Sequence, residues 1–385
     1  MQSQERPKQP PKVSIADIFY KSKELERRGE DIIHFDVGEP DFDPPSEVVA
    51  ATADAVKSGR GRYTGPGGIP EARKAIAEHL SSRHNVKIDP KQVLLTSGGR
   101  LALFLAFASL KKNSSVGIIT PDWPAYRDLS DFFSFKTHFF KSTLENSWDP
   151  NIGEIEESDC DCLILNYPNN PTGKILEPKL FDNLVKLAKK KGMRIISDEV
   201  YSDYIFSDTD NFRSVLELED GDWIFATSLS KSYSMTGFRA GYIVSDEETI
   251  SRMERVNGLV LTSAPEFVQY GVIAALGCKD YVRDKVSLIR KRRHLACELL
   301  RNELGAEFYE SDGSLYLFPK LHAKSTRDIF DSERFSLDLL EREHVSVTPG
   351  TAFGNDYGEF VRLTLLQSEE RMKEGIQRIA RFLDR

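Results

Sequence analysis

The sequence predicts an α/β protein: a large domain whose mostly parallel sheet carries helices on both faces, and a smaller α+β domain after it. Three observations predict it. From about residue 46 to 245, short apolar runs alternate with helical patterns, which is how parallel strands joined by crossover helices read. From about residue 265 the pattern turns largely helical, then closes with short strands and a last helix. The chain has 385 residues, 40% of them hydrophobic, enough for one large domain and a smaller one.

The elements follow in order. The first dozen residues, MQSQERPKQPPK, are polar and Pro-rich and lack the apolar core of a secretory signal. EVVAATADAVKSG and EARKAIAEHLSSR read as helices, and QVLLT, SVGIIT, CLILNY, MRIIS and WIFATS as buried strands. The longest clean apolar stretch, LALFLAFASL at 101–110, is about half a membrane span, so no membrane partner is expected. YVRDKVSLIRKRRHLACELLRNEL reads as a long helix, with its basic run RKRRH at 290–294 on a solvated face. SLYLFPK, VSVTPG and FVRLTLL read as strands, and SEERMKEGIQRIARFL as the last helix. Residues 1–45 are expected to join the small domain, 46–285 to form the large domain, and 286–385 to form the small one.

A net charge of −8 argues against a nucleic-acid surface. Of the four cysteines, Cys160 and Cys162 lie too close in sequence for a usual zinc or redox spacing. Free thiols in a reducing cytoplasm are the simplest reading, and no metal site is expected.

In open parallel sheets, ligands bind outside the carboxyl ends of the strands. The residues there form a set. After QVLLT comes SGGR, where Gly99 and Arg100 open a helix whose N–H groups could meet an anion, or simply make a turn. After SVGIIT, Trp123 stands between two prolines, as a stacking plate or as packing. After CLILN, YPNNPTG brings the amides of Asn169 and Asn170, or only turn chemistry. After MRIIS, Asp198 is a carboxylate or a helix cap, with the Tyr201 phenol three residues on. After WIFATS, Lys231 lies among Ser228, Ser230 and Ser232, with Arg239 and two glycines beyond. A phosphate cradle, an aromatic plate, an amide, a carboxylate with a phenol, and a lysine ringed by hydroxyls suit one ligand, pyridoxal 5′-phosphate. The lysine amine would bond the aldehyde, the carboxylate would keep the ring nitrogen protonated, and the hydroxyls and arginine would hold the phosphate.

These residues also carry a resemblance, from about Ile32 to Leu383. GEPDFDPP, YTGPGGIPEAR, SGGRLALF, PDWPAY, NYPNNPTG, SDEVY, SLSKSYSMTGFRAGY, TPGTAFG and VRLT resemble the class I/II aminotransferases of the fold-type-I, pyridoxal-phosphate-dependent superfamily. The chain is most similar to the prokaryotic aspartate aminotransferase branch. The resemblance implies a sheet of the seven-stranded type and a homodimer with shared sites. It implies that Lys231 bonds the cofactor and shuttles the proton, and that Asp198 pairs with the ring nitrogen. Tyr201 and Asn170 would bond the ring's 3-oxygen, and Trp123 would stack on the ring. Gly99, Arg100, Ser228, Ser230 and Arg239 would bind the phosphate, with Tyr63 of the partner subunit. Arg362 would clamp the substrate α-carboxylate, with Gly38, Trp123 and Asn170 beside it, and Arg100 could greet a distal carboxylate. The implied activity is transfer of an amino group from an L-amino acid to a 2-oxo acid by a ping-pong scheme, with aspartate or glutamate and 2-oxoglutarate as the expected pair. A C–S lyase of the same fold, and an enzyme for aromatic or alanine-type donors, stay open as alternatives.

Overall fold

The computed structural model describes residues 13–206, 212–219, 221–322 and 330–384; the polar segment 1–12 lies outside them. Its centre is a seven-stranded sheet in the order Val93–Thr96, Gly241–Val244, Trp223–Ser228, Arg194–Asp198, Cys162–Asn166, Ser115–Thr120, Lys136–Lys141. The two pairings made by Gly241–Val244 are antiparallel, and the others are parallel. The five runs read as strands are all strands. KTHFFK and GYIV are two more that the apolar-run criterion passes over. The first has an exposed edge, and the second is four residues long.

Successive side chains leave a strand on opposite faces, and the two faces have separate cores. Leu94, Ile118, Ile164, Ile196, Ile224 and Ile243 pack under the helix Gly99–Ala108 on one side. Val93, Leu95, Leu163, Leu165, Ile195, Phe225 and Val244 pack on the other, with Leu184 of the helix Pro178–Lys191. That helix starts with proline at its first turn and stops at Gly192, whose φ of 64° only glycine adopts without strain. Burial on both faces is why these strands read as continuous apolar runs rather than as alternation.

A further core joins Ile33 and Phe35 to Ile289, Leu300, Leu317, Leu339, Val361 and Ile379. Ile33–His34 pairs in parallel with Val345–Ser346. Thr348–Pro349, Val361–Thr364 and Tyr316–Leu317 make a small antiparallel sheet. The 26-residue helix Lys279–Leu304 links the two regions, and positions 285 and 286 fall inside it. The solvated face expected for 290–294 needs correction. Arg292 is buried and forks onto Asp41, at 2.7 Å and 2.8 Å to its two carboxylate oxygens. The N-terminal segment supplies the carboxylate that makes burying the guanidinium tolerable. Among the described residues, no helix is long and apolar enough to cross a membrane.

Candidate functional site

Five of the seven strands end at one place, and residues at or just beyond their ends line a cavity of about 470 Å³. The candidate site residues read from the sequence line it, except Asn169, Ser232 and Tyr63; the Ser232 side chain bonds Asp203 instead. Asn169 is turned to Thr172, whose N–H and hydroxyl donate to its side-chain oxygen at 3.1 and 2.8 Å. Tyr63 is 90% exposed, away from the cavity of its own chain.

One end of the cavity is built for an anion. Gly98 turns the chain from the strand Val93–Thr96 into the helix Gly99–Ala108 with a φ of 86°, and no side chain caps that helix. Its first N–H groups therefore face the cavity end with the helix dipole behind them. The fit is tight. A Cβ on Gly98 would lie 2.5 Å from Arg239 Nη2, and one on Gly241 would lie 2.8 Å from the Gly98 carbonyl carbon. Gly241 reaches this end because its strand runs against its neighbours, pairing with both Ser228 and Thr96. Ser228 caps the short helix Leu229–Ser232, accepting from Ser230 N–H at 3.1 Å, and its hydroxyl lies 2.8 Å from that of Ser230.

At the other end, Asp198 is the last residue of its strand. Burial pushes its carboxyl up to about 6, while the hydrogen bond from the Tyr126 hydroxyl, at 2.7 Å, and the Val200 N–H pull it down. The Val200 bond, 3.3 Å to Oδ1, closes a turn; no helix starts here, so the helix-cap reading of Asp198 does not hold. Burial also holds the Tyr201 phenol well above its ordinary range. Lys231 lines the same cavity, half-buried, its amine donating to the Gly38 carbonyl. Trp123 forms a wall, with the Arg100 guanidinium over its ring at 5.2 Å and Tyr126 edge-on at 5.6 Å.

Arg362 comes from the small sheet and is 4% exposed. Nη1 donates to Asn170 Oδ1 at 3.2 Å, and Nη2 to Thr348 Oγ1 at 3.2 Å and to the Asp36 carbonyl. Its buried Nε has no hydrogen-bond partner among the described residues. A buried donor of this kind is costly unless an acceptor arrives.

The family model for "Aminotransferase class I and II" matches residues 30–379. The chain belongs to that family. It is 33% identical to an aspartate aminotransferase of Thermotoga maritima, with 96% of each chain covered. It is 32% identical to one of Sulfolobus acidocaldarius, over 93% of this chain and 91% of that one. It is 29% identical to a (5-formylfuran-3-yl)methyl phosphate transaminase of Methanocaldococcus jannaschii, with 96% of each covered. Among solved structures, the Thermotoga maritima aspartate aminotransferase superposes with a TM-score of 0.90 at 32% identity, covering 97% of this chain and 98% of that one. An aspartate aminotransferase of Thermus thermophilus with maleate gives 0.88 at 29% identity, covering 97% of both. The aminotransferase therefore has the fold of this superfamily, and its cofactor is pyridoxal phosphate.

The site fits that cofactor. One cavity brings together an anion cradle that a Cβ would fill, a buried carboxyl, an amine and an indole. A second cavity, of about 570 Å³, lies between the helices Pro70–His84 and Lys279–Leu304. It holds the Arg83–Asp203 ion pair and none of the predicted residues, so its size does not make it the aminotransferase site. Sequence reasoning missed Tyr126, Tyr316 and Asn166. Asn166 donates to the Asp198 carbonyl at 3.1 Å and accepts from Asn170 N–H at 3.0 Å. It also missed Ile15, Ala16, Phe19 and Tyr20, which bring an apolar wall from the first helix, Ile15–Arg27. Tyr126 carried a usable signal, since it stands three residues after Trp123, in the first turn of the helix Ala125–Phe132 that follows it.

Proposed function

We propose that this aminotransferase takes aspartate or glutamate as amino donor and 2-oxoglutarate as acceptor, in a ping-pong scheme. The observation that carries the choice of substrate is Arg100, held over Trp123 at the cavity wall while Arg362 lies deeper. Two guanidinium groups on one cavity suit a substrate with two carboxylates. The maleate in the Thermus thermophilus structure, a dicarboxylate, supports the same reading.

On this reading, Arg362 grips the α-carboxylate with its guanidinium, and Asn170 and Gly38 fix the substrate beside it. When bound, pyridoxal phosphate supplies an aldehyde that condenses with amines and a ring that accepts the electrons of a broken Cα–H bond. Lys231 would hold the cofactor through its amine and, when free, would be the base that takes the proton from the substrate Cα. Asp198 keeps a proton on the ring nitrogen, and a cation opposite it would hold its carboxyl ionised. Tyr201 donates to the ring's 3-oxygen. Ser228, Ser230, Arg239 and the N–H groups of Gly99 and Arg100 hold the phosphate. The donor leaves as its oxo acid, and a second oxo acid collects the amino group.

The functional unit is a cytoplasmic homodimer in which the partner's Tyr63 completes the phosphate site. Asn257 donates to the Pro66 carbonyl, and Thr64 N–H to Ser263, which ties the Tyr63 loop to the end of the helix Glu247–Val260, where Leu259, Val260 and the cap Leu261 are exposed. An apolar patch of this kind suits a subunit interface. The four free cysteines agree with a reducing compartment. A panel of amino donors with 2-oxoglutarate tests the substrate. Aspartate and glutamate should give the highest kcat/KM. A preference for alanine or phenylalanine, or sulfide release from a thioether amino acid without transfer, would refute the assignment.

A further inference from the structure

We infer that Tyr316 is a positioning residue that couples the arginine gripping the substrate to the phenol facing the cofactor, through its ring beneath Arg362 and its hydroxyl against Tyr201. The inference rests on the functional reading above and deepens it.

Tyr316 pairs with Thr364 in the small sheet, and Arg362 lies two residues from Thr364 on the same strand. Residues two apart share a face, and diagonal cross-strand neighbours are within reach of an aromatic ring. The Arg362 guanidinium carbon accordingly sits 4.3 Å from the centre of the Tyr316 ring. The ring is 2% exposed, which strengthens a cation–π contact. Its hydroxyl oxygen is 2.9 Å from that of Tyr201, with the rings edge-on at 82°. A Cβ on Gly38 would lie 2.0 Å from the same oxygen, so the phenol occupies space that only glycine leaves open. The Gly38 carbonyl in turn accepts from Lys231. Tyr316 thus meets the carboxylate-binding arginine, the cofactor-facing phenol and the backbone that holds the lysine.

Proton counting assigns its part. Each phenol has one proton. If Tyr201 gives its proton to the 3-oxygen, only Tyr316 can supply the one between the two hydroxyls. A hydroxyl that accepts a hydrogen bond is a better donor. Tyr316 therefore strengthens the donation of Tyr201 and favours the anionic form of the 3-oxygen. The phenol also stands on the small sheet, so a shift of Arg362 on binding a carboxylate is felt at Tyr201.

The test uses Tyr316→Phe, which keeps the ring beneath Arg362 and removes only the hydroxyl. The pH titration of the holoenzyme's visible absorbance should have a higher midpoint, by about 0.3–1 unit, the scale of one neutral hydrogen bond. Tyr201→Phe should shift it further the same way, and the double variant no further than Tyr201→Phe alone. kcat should fall about 2- to 10-fold with KM for the amino donor nearly unchanged. Tyr316→Leu, which also removes the ring, should raise KM. In the cofactor-free protein, the Tm losses of the two Phe variants should be non-additive, because they break one bond. A wild-type absorbance midpoint in Tyr316→Phe overturns the inference even if the Tm coupling is present, since the bond would then be structural only. A protein that takes up no pyridoxal phosphate overturns the functional reading, and this inference with it.

Discussion

Replacing Arg362 by lysine keeps the charge and removes the fork. In the wild type, Nη2 is committed to Thr348 and the Asp36 carbonyl, while Nη1 has only Asn170 Oδ1, at 3.2 Å, and Nε has no partner. The donors left on Nη1 and Nε are the capacity the guanidinium still has for an arriving carboxylate. An ammonium at this position cannot donate along two parallel lines and also hold Thr348 and Asp36. Breaking a buried, hydrogen-bonded charge pair costs about 2–5 kcal/mol. At about 1.4 kcal/mol per tenfold, that is a loss of about 30- to 5,000-fold in kcat/KM. The assay is steady-state kcat/KM for aspartate, alanine and phenylalanine with 2-oxoglutarate. The loss should appear for all three, because all share the α-carboxylate, and the visible absorbance of bound cofactor should survive. Wild-type kcat/KM for every donor would make Arg362 a structural arginine and refute the reasoning.

Four further outcomes are expected. Asp198→Ala should keep much of its cofactor and lose several orders of magnitude in kcat, and a near-normal kcat would remove its role. The same carboxyl gives a stability prediction for the cofactor-free protein. Its pKa is raised to about 6 by burial, so the stability it contributes is complete below its unfolded value near 4 and is lost as pH rises through about 6. Asp198→Asn should therefore raise Tm above wild type near pH 8 by an amount that shrinks below about pH 5, and a pH-independent difference would contradict the shift. Mixing Lys231→Ala with a Tyr63 variant should restore activity on subunit exchange, through one site with both residues intact. No recovery in verified mixed dimers would count against a shared site. Arg100→Ala should weaken dicarboxylic substrates by about 1.5–3 kcal/mol in kcat/KM and leave alanine and phenylalanine nearly untouched. An equal loss for all substrates would mark Arg100 as a cofactor residue.

The buried strands were legible because burial on both faces makes them uniformly apolar, and each ends in a residue whose chemistry stands out. The strand Lys136–Lys141 was not, because an edge strand with exposed lysines at both ends has no apolar run. Glycine told more than its spacing suggested. Gly38, Gly98 and Gly241 each border a site residue that a Cβ would strike. Tyr316 was illegible for a different reason. Its partner Tyr201 is 115 residues away, and only the register of the small sheet sets it beside Arg362. Arg292 failed as a surface residue because the carboxylate that buries it, Asp41, is 251 positions away.

The measurement that tests the central claim most directly is borohydride reduction of the purified protein, followed by peptide mapping. The protein should be yellow, lose that colour on reduction, and yield one labelled peptide containing Lys231, the amine that shares the cavity with the anion cradle and Asp198. Label on any other lysine, or none at all in protein loaded with pyridoxal phosphate, would contradict the account.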